Sequence, residues 1–130
     1  MYQAGIIQPV RTRHFLVGDF DEESEPHGHE YRFEFICRAE KLDENGFSVD
    51  IALMEESAEA VAGRLDGMLL NDLPFFSDKQ TSVENFARFL LQELFIYMKS
   101  RGFSESSITR ADVKVWESDS AWASYAWIRE

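Results

Sequence analysis

Polar and apolar positions alternate most cleanly over residues 29–38. His29, Tyr31, Phe33, Phe35 and Cys37 face one way, and Glu30, Arg32, Glu34 and Arg38 the other. That is the pattern of a strand with one face in a core. Residues 5–15 read as an earlier strand. Asp43-Glu44-Asn45-Gly46 is a turn signal, and Phe47–Ile51 after it reads as a short extended segment. The period then changes. Met54, Ala58, Val61 and Leu65 make one helical stripe, which predicts a helix over Leu53–Leu65. Val83, Phe86, Ala87, Leu90, Leu94, Tyr97 and Met98 make another, which predicts a second helix over Ser82–Arg101. Thr81-Ser82-Val83-Glu84 opens that helix as a capping box through Thr81 and Glu84, and Gly102 stops it. Alternation returns in Ile108–Ser118, with Ala111, Val113, Val115 and Glu117 on one face. It continues in Ala121–Arg129, with Trp122, Ser124, Ala126 and Ile128 together. The order strand, strand, helix, helix, strand, strand predicts an α+β layer: a four-stranded antiparallel sheet with both helices on one side. No repeat, linker or low-complexity stretch interrupts it, so residues 1–130 read as a single domain. The free edges and second face of such a sheet are commonly covered by oligomerisation.

Charge narrows the partners. Lys and Arg total 13 against 24 Asp and Glu, a formal net charge of −11. With no basic cluster, nucleic acid and anionic membrane are poor partners. The hydrophobic fraction of 45%, with 11 Phe, is enough for a core and argues against disorder. No apolar run is long enough to span a bilayer, and the N-terminus shows no signal-peptide pattern. The single Cys fits a reducing compartment. A cytoplasmic location is the expectation.

The candidate chemistry lies in the histidines. All three, His14, His27 and His29, fall near the N-terminus. Side chains two apart on a strand share a face, with Cα atoms about 6.5–7 Å apart, so His27 and His29 can converge on one ion. If the first two strands form a hairpin, His14 can join them. Three neutral imidazoles suit Zn²⁺ with a fourth position left for water or substrate. The alternative is a chance pair of surface imidazoles. The acidic run Asp19–Glu25 between the strands reads on its own as a solvated loop.

The histidines, with four other stretches, carry a family resemblance. His27-Gly28-His29-Glu30-Tyr31 is similar to a His-Gly-His-x-Tyr motif, and Gly46-Phe47-Ser48-Val49-Asp50 to a glycine-to-aspartate stretch before the first helix. Leu65-Asp66-Gly67-Met68-Leu69-Leu70-Asn71 is similar to Leu-Asp-His-x-x-Leu-Asn. Thr81-Ser82-Val83-Glu84-Asn85 is similar to Pro-Thr-x-Glu-Asn, and Val113-Lys114-Val115-Trp116-Glu117 to Val-x-Val-x-Glu. In order and spacing, over about residues 10–125, they resemble the 6-pyruvoyl-tetrahydropterin synthase / 6-carboxytetrahydropterin synthase family, with His14 at the place of its first zinc histidine. The resemblance implies a tunnelling fold (T-fold) and a homo-oligomer, often a hexamer. It also implies Zn²⁺ on His14, His27 and His29, a lyase activity, and a small-molecule pterin substrate of the dihydroneopterin triphosphate class. Glu117 is implied as the pterin anchor. A carboxylate at the end of an apolar strand face needs a partner, and an aminopyrimidine edge offers matching N–H donors. A pterin contact for Ser82 is a secondary expectation.

The chain departs from the family at the groups that move protons. Glu23 stands four residues before His27, where the family has a catalytic Cys, and Asp66-Gly67 replaces Asp-His. Cys37 reads as a small buried hydrophobe. Glu23, or its neighbour Glu25, is the candidate general base, with Asp66 as a second catalytic carboxylate. Members with Glu at the Cys position are associated with cleavage to a 6-hydroxymethyl pterin. Three accounts remain open: a pterin-converting enzyme with a carboxylate base, a pterin-binding paralogue that keeps zinc without turnover, and a structural oligomer without ligand.

Overall fold

The computed structural model describes all 130 residues. Four strands, β1 (Tyr2–His14), β2 (His27–Ala39), β3 (Arg110–Trp116) and β4 (Trp122–Ile128), form one antiparallel sheet in the order β1-β2-β3-β4. Two helices, α1 (Ile51–Leu65) and α2 (Val83–Ser100), pack on one face of it, α1 over β1 and α2 over β3 and β4. The order expected from the alternation is the order observed. The inward face of β2 is the centre of the core: Tyr31, Phe33, Phe35, Cys37 and Ala39 are all buried, against Ala111, Val113 and Val115 of β3.

Several boundaries move for identifiable reasons. Phe47–Ile51 forms no strand. The Asp43 carboxylate accepts from the N–H groups of Asn45 and Phe47, both at 2.9 Å, and holds a turn. Asp50 then caps α1 by accepting from Leu53 N–H at 3.2 Å, so the helix begins at Ile51 rather than Leu53. At the second helix the cap is Ser82, whose hydroxyl accepts from Asn85 N–H at 3.2 Å. The expected Thr81–Glu84 box is displaced by one residue because Thr81 turns inward and is buried. α2 also buries Phe89, Leu91 and Phe95 beside the expected stripe. Phe89 meets Phe75 and Phe76, and Phe95 meets Trp127. A single helical stripe misses them because two separate neighbours flank α2.

The strand ends carry the site. β1 and β2 pair from Tyr2↔Ala39 to His14↔His27, which places Thr12 opposite His29. The outer edge of β1 is covered at that end by the chain leaving α1: Gly67 N–H donates to Arg11 C=O at 3.0 Å and Arg13 N–H to Met68 C=O at 2.8 Å. Gly67 takes φ +72° to make this turn, a conformation that residues with a Cβ adopt reluctantly.

Candidate functional site

His14 ends β1 and His27 opens β2, so the hairpin register sets their rings side by side, with centroids 4.5 Å apart. The loop between them, residues 15–26, folds back through a short 3-10 turn, Asp21–Ser24. That turn brings Glu23 over the pair. One donor atom each of His14, Glu23 and His27 lies within 4.8 Å of the other two. Glu23 Oε2 is 3.2 Å from His27 Nε2.

Hydrogen bonds behind the rings decide which nitrogens face this point. His14 Nδ1 lies 3.0 Å from the Thr81 carbonyl and 3.2 Å from Thr81 Oγ1. The Thr81 hydroxyl gives its proton to Phe15 C=O at 2.9 Å, so it can only accept from His14. Two acceptors at Nδ1 hold the proton there and leave Nε2 with its lone pair free. His27 is set the same way: Nδ1 donates to Glu25 C=O at 2.9 Å. His27 Nε2 and the Glu23 oxygen then meet as two acceptors, which needs a proton or a cation between them. Outer partners of this kind commonly orient metal-binding histidines. Burial lowers the pKa of His14, with the neighbouring His27 and His29 acting in the same direction, so the ring is neutral and competent as a ligand at neutral pH.

His29 stands at the edge of this group. Its ring stacks on Tyr31, with centroids 4.4 Å apart, and lies 6.4 Å from that of His14. Its Nε2 donates to Glu117 C=O at 2.9 Å, which leaves Nδ1 uncommitted. The structure thus brings His14, His27 and Glu23 together and places His29 beside them, outside the closest set.

Through His29 and Tyr31 the histidines adjoin a cavity of about 660 Å³. Arg11, Glu30, Tyr31, Asp66, Trp116 and Glu117 are among its walls. Burial raises the pKa of the Tyr31 phenol, and the charges of Glu117 and Glu23 raise it further. Glu117 is exposed and lies one residue past the end of β3. It is therefore a free carboxylate at the mouth of the cavity. The sequence expectation had placed it on the strand's apolar face, but β3 closes at Trp116 and the chain turns. Asp66 lines the same cavity and is held by a two-pronged ion pair from Arg11, at 3.0 and 3.1 Å. Ser82 is the helix cap described above, Glu25 supplies its carbonyl to His27, and Cys37 is fully buried in the core. Sequence reasoning missed Thr81 as the partner of His14. Its helix-start context masked the signal, and only the approach of β1 to the head of α2 reveals the role.

A four-stranded sequential antiparallel sheet with a helix pair on one face, and a histidine cluster at the β1–β2 end, defines a T-fold protein. The sequence profile of 6-pyruvoyl tetrahydropterin synthase matches residues 8–127. The chain belongs to the 6-pyruvoyl tetrahydropterin synthase family. Its structure is similar to the 6-pyruvoyl tetrahydropterin synthase of Plasmodium vivax, with a TM-score of 0.79 at 19% identity, covering 99% of this chain and 100% of the other. The Plasmodium falciparum protein gives 0.78 at 19% identity, covering 98% and 99%. The Caenorhabditis elegans protein gives 0.77 at 20%, covering 95% and 94%. Two further structures of the Plasmodium vivax protein, each 16% identical to this chain with a TM-score of 0.76, carry Cys or Ala in place of a glutamate described as a catalytic residue there. Comparison with curated protein sequences returns no match. No helix is long and apolar enough to cross a membrane.

Proposed function

We propose that this chain is a zinc-dependent lyase acting on dihydroneopterin triphosphate or a related pterin, with Glu23 as general base. The observation that carries this reading is the meeting of Glu23 with His14 and His27 around one point. The donor chemistry fits zinc: His14 and His27 offer free Nε2 lone pairs, and His29 has an uncommitted Nδ1. His14, His27 and His29 would hold the ion, which when bound supplies Lewis-acid polarisation of the substrate's side-chain hydroxyls.

The remaining roles belong to the side chains. Glu117, free at the cavity mouth, is chemically suited to the adjacent N–H donors of an aminopyrimidine edge. Ser82 still has its hydroxyl proton to offer, and Asp66 contributes a second carboxylate to the cavity wall. Glu23 takes the proton of a side-chain hydroxyl. The oxygen's electrons form the carbonyl of a departing aldehyde, and the electron pair of the broken C–C bond stays with the pterin. Glu23 then returns its proton to the pterin side, leaving a 6-hydroxymethyl group. The catalytic glutamate of the Plasmodium vivax protein supports a carboxylate in this role. Exposed apolar side chains on both edge strands, Tyr2 and Ile7 on β1 and Trp122 and Ile128 on β4, favour a homo-oligomer, which the family suggests is a hexamer.

The test is incubation of zinc-loaded protein with dihydroneopterin triphosphate, with products separated by chromatography. The expected result is a cleaved pterin whose rate falls about 10²–10⁴-fold in Glu23→Ala, the usual share of a general base. Tight pterin binding with no product would instead support a binding paralogue, and protein purified without zinc or pterin affinity would overturn both.

A further inference from the structure

We infer that Asn71 and Gln80 are positioning residues that hold the Glu23 loop over the histidine pair. This rests on the reading of Glu23 as the base. Past His14 the first strand has no further strand partner, yet its backbone remains paired. Asn71 Oδ1 accepts from Phe15 N–H at 3.0 Å, and its Nδ2 donates to Phe15 C=O at 3.0 Å. Gln80 repeats the arrangement two residues on: Oε1 accepts from Val17 N–H at 2.7 Å and Nε2 donates to Val17 C=O at 3.0 Å. A primary carboxamide carries an acceptor and a donor side by side. Each therefore offers the backbone what a neighbouring strand would offer.

Alternation along an extended chain turns Leu16 the opposite way. Its N–H donates to Glu23 C=O at 2.7 Å. Residues 15–17 thus form a bridge, with the two carboxamides on one edge, joined there by the Thr81 hydroxyl on Phe15 C=O at 2.9 Å, and Glu23 on the other. The other bonds of the loop are largely internal. The Ser24 hydroxyl accepts from Phe20 N–H at 2.9 Å and donates to Gly18 C=O at 2.8 Å, which shapes the loop without anchoring it. The remaining tie to a strand is the Glu25 carbonyl, which accepts from His27. Because the Glu23 side chain is exposed, packing does not hold it, and its placement depends on this bridge.

A displacement of about 1 Å at a reacting group can lower a rate on the order of 10²-fold. Asn71→Ala and Gln80→Ala, in the full zinc-loaded chain, are therefore expected to lower kcat roughly tenfold to hundredfold with KM for the pterin unchanged. In a Glu23→Ala background the same changes should cost nothing further, since the group they position is gone. Gln80→Met keeps the length without donor or acceptor and should match Gln80→Ala. A second readout needs no turnover: in metal-free protein the Leu16 amide should exchange with deuterium roughly tenfold faster in both Ala variants, while the Leu90 and Leu94 amides of α2 stay protected. Unchanged Leu16 exchange in both variants, or an equal loss of kcat with and without Glu23, would overturn the inference. Turnover that survives Glu23→Ala removes the base assignment instead, and Leu16 exchange still decides the bridge.

Discussion

Replacing Thr81 by Val isolates the side-chain contact that helps hold the His14 ring, while the Thr81 carbonyl still keeps the proton on Nδ1. The side chains have nearly the same shape, so a methyl takes the place of the hydroxyl and no cavity opens. Two contacts vanish: the 3.2 Å approach to His14 Nδ1 and the 2.9 Å bond to Phe15 C=O. Neither partner is stranded. His14 Nδ1 keeps the Thr81 carbonyl at 3.0 Å, and Phe15 C=O keeps the Asn71 amide at 3.0 Å. Only net hydrogen-bond energy is lost, without the desolvation penalty of an orphaned group, so metal-free protein should lose about 1–2 kcal/mol. Zinc affinity should fall as well. Loss of an outer partner commonly costs 10–100-fold, and with one of two acceptors kept, the expected loss is about tenfold, or about 1.4 kcal/mol. Urea denaturation of metal-free protein measures the first quantity, and competition with a chromogenic chelator the second. An unchanged zinc affinity beside a lowered stability would refute a role for the Thr81 hydroxyl in holding the His14 ring for the ion. A loss as large as that of His14→Ala would show that the site had collapsed.

Other outcomes follow from the same geometry. Glu117→Gln should weaken pterin binding by at least about tenfold, the weight of a charge-assisted hydrogen bond, and leave zinc content unchanged; equilibrium dialysis with a pterin and metal analysis check the two halves. The Cys37 thiol is pushed up to about 12 by burial, with Asp112 adding to it, so it should resist a thiol reagent at pH 8 in native protein and react fully in denaturant. His14 has a lowered pKa in the fold. The unfolded chain therefore takes up its proton first as pH falls, and metal-free protein should lose stability below about pH 6.5, the unfolded value. Urea midpoints across pH 5–8 test this, and His14→Gln should flatten the profile.

The pattern of side chains was sufficient for the architecture. Alternation in β2 and the stripes of α1 and α2 report which residues leave water, and burial of apolar area is a local property summed along each element. The approach of His14 to His27 was legible too, since a β1–β2 hairpin sets strand ends side by side, whereas the two-residue spacing of His27 and His29 did not reveal that Glu23, rather than His29, completes the closest set. What the chain alone could not decide was how separate ends meet. Whether Thr81 caps a helix or backs a histidine depends on β1 running past the head of α2, more than sixty residues away in sequence. The same holds for Asn71 and Gln80, which lend strand-like pairing to a loop more than fifty residues before them. Glu117 looked like a residue on a buried face until the end of β3 turned it into the cavity mouth. Propensity and periodicity act over a few residues, whereas a hydrogen bond across the fold forms only after the core has chosen its register. That is why the elements could be read in advance and the partners of the site could not.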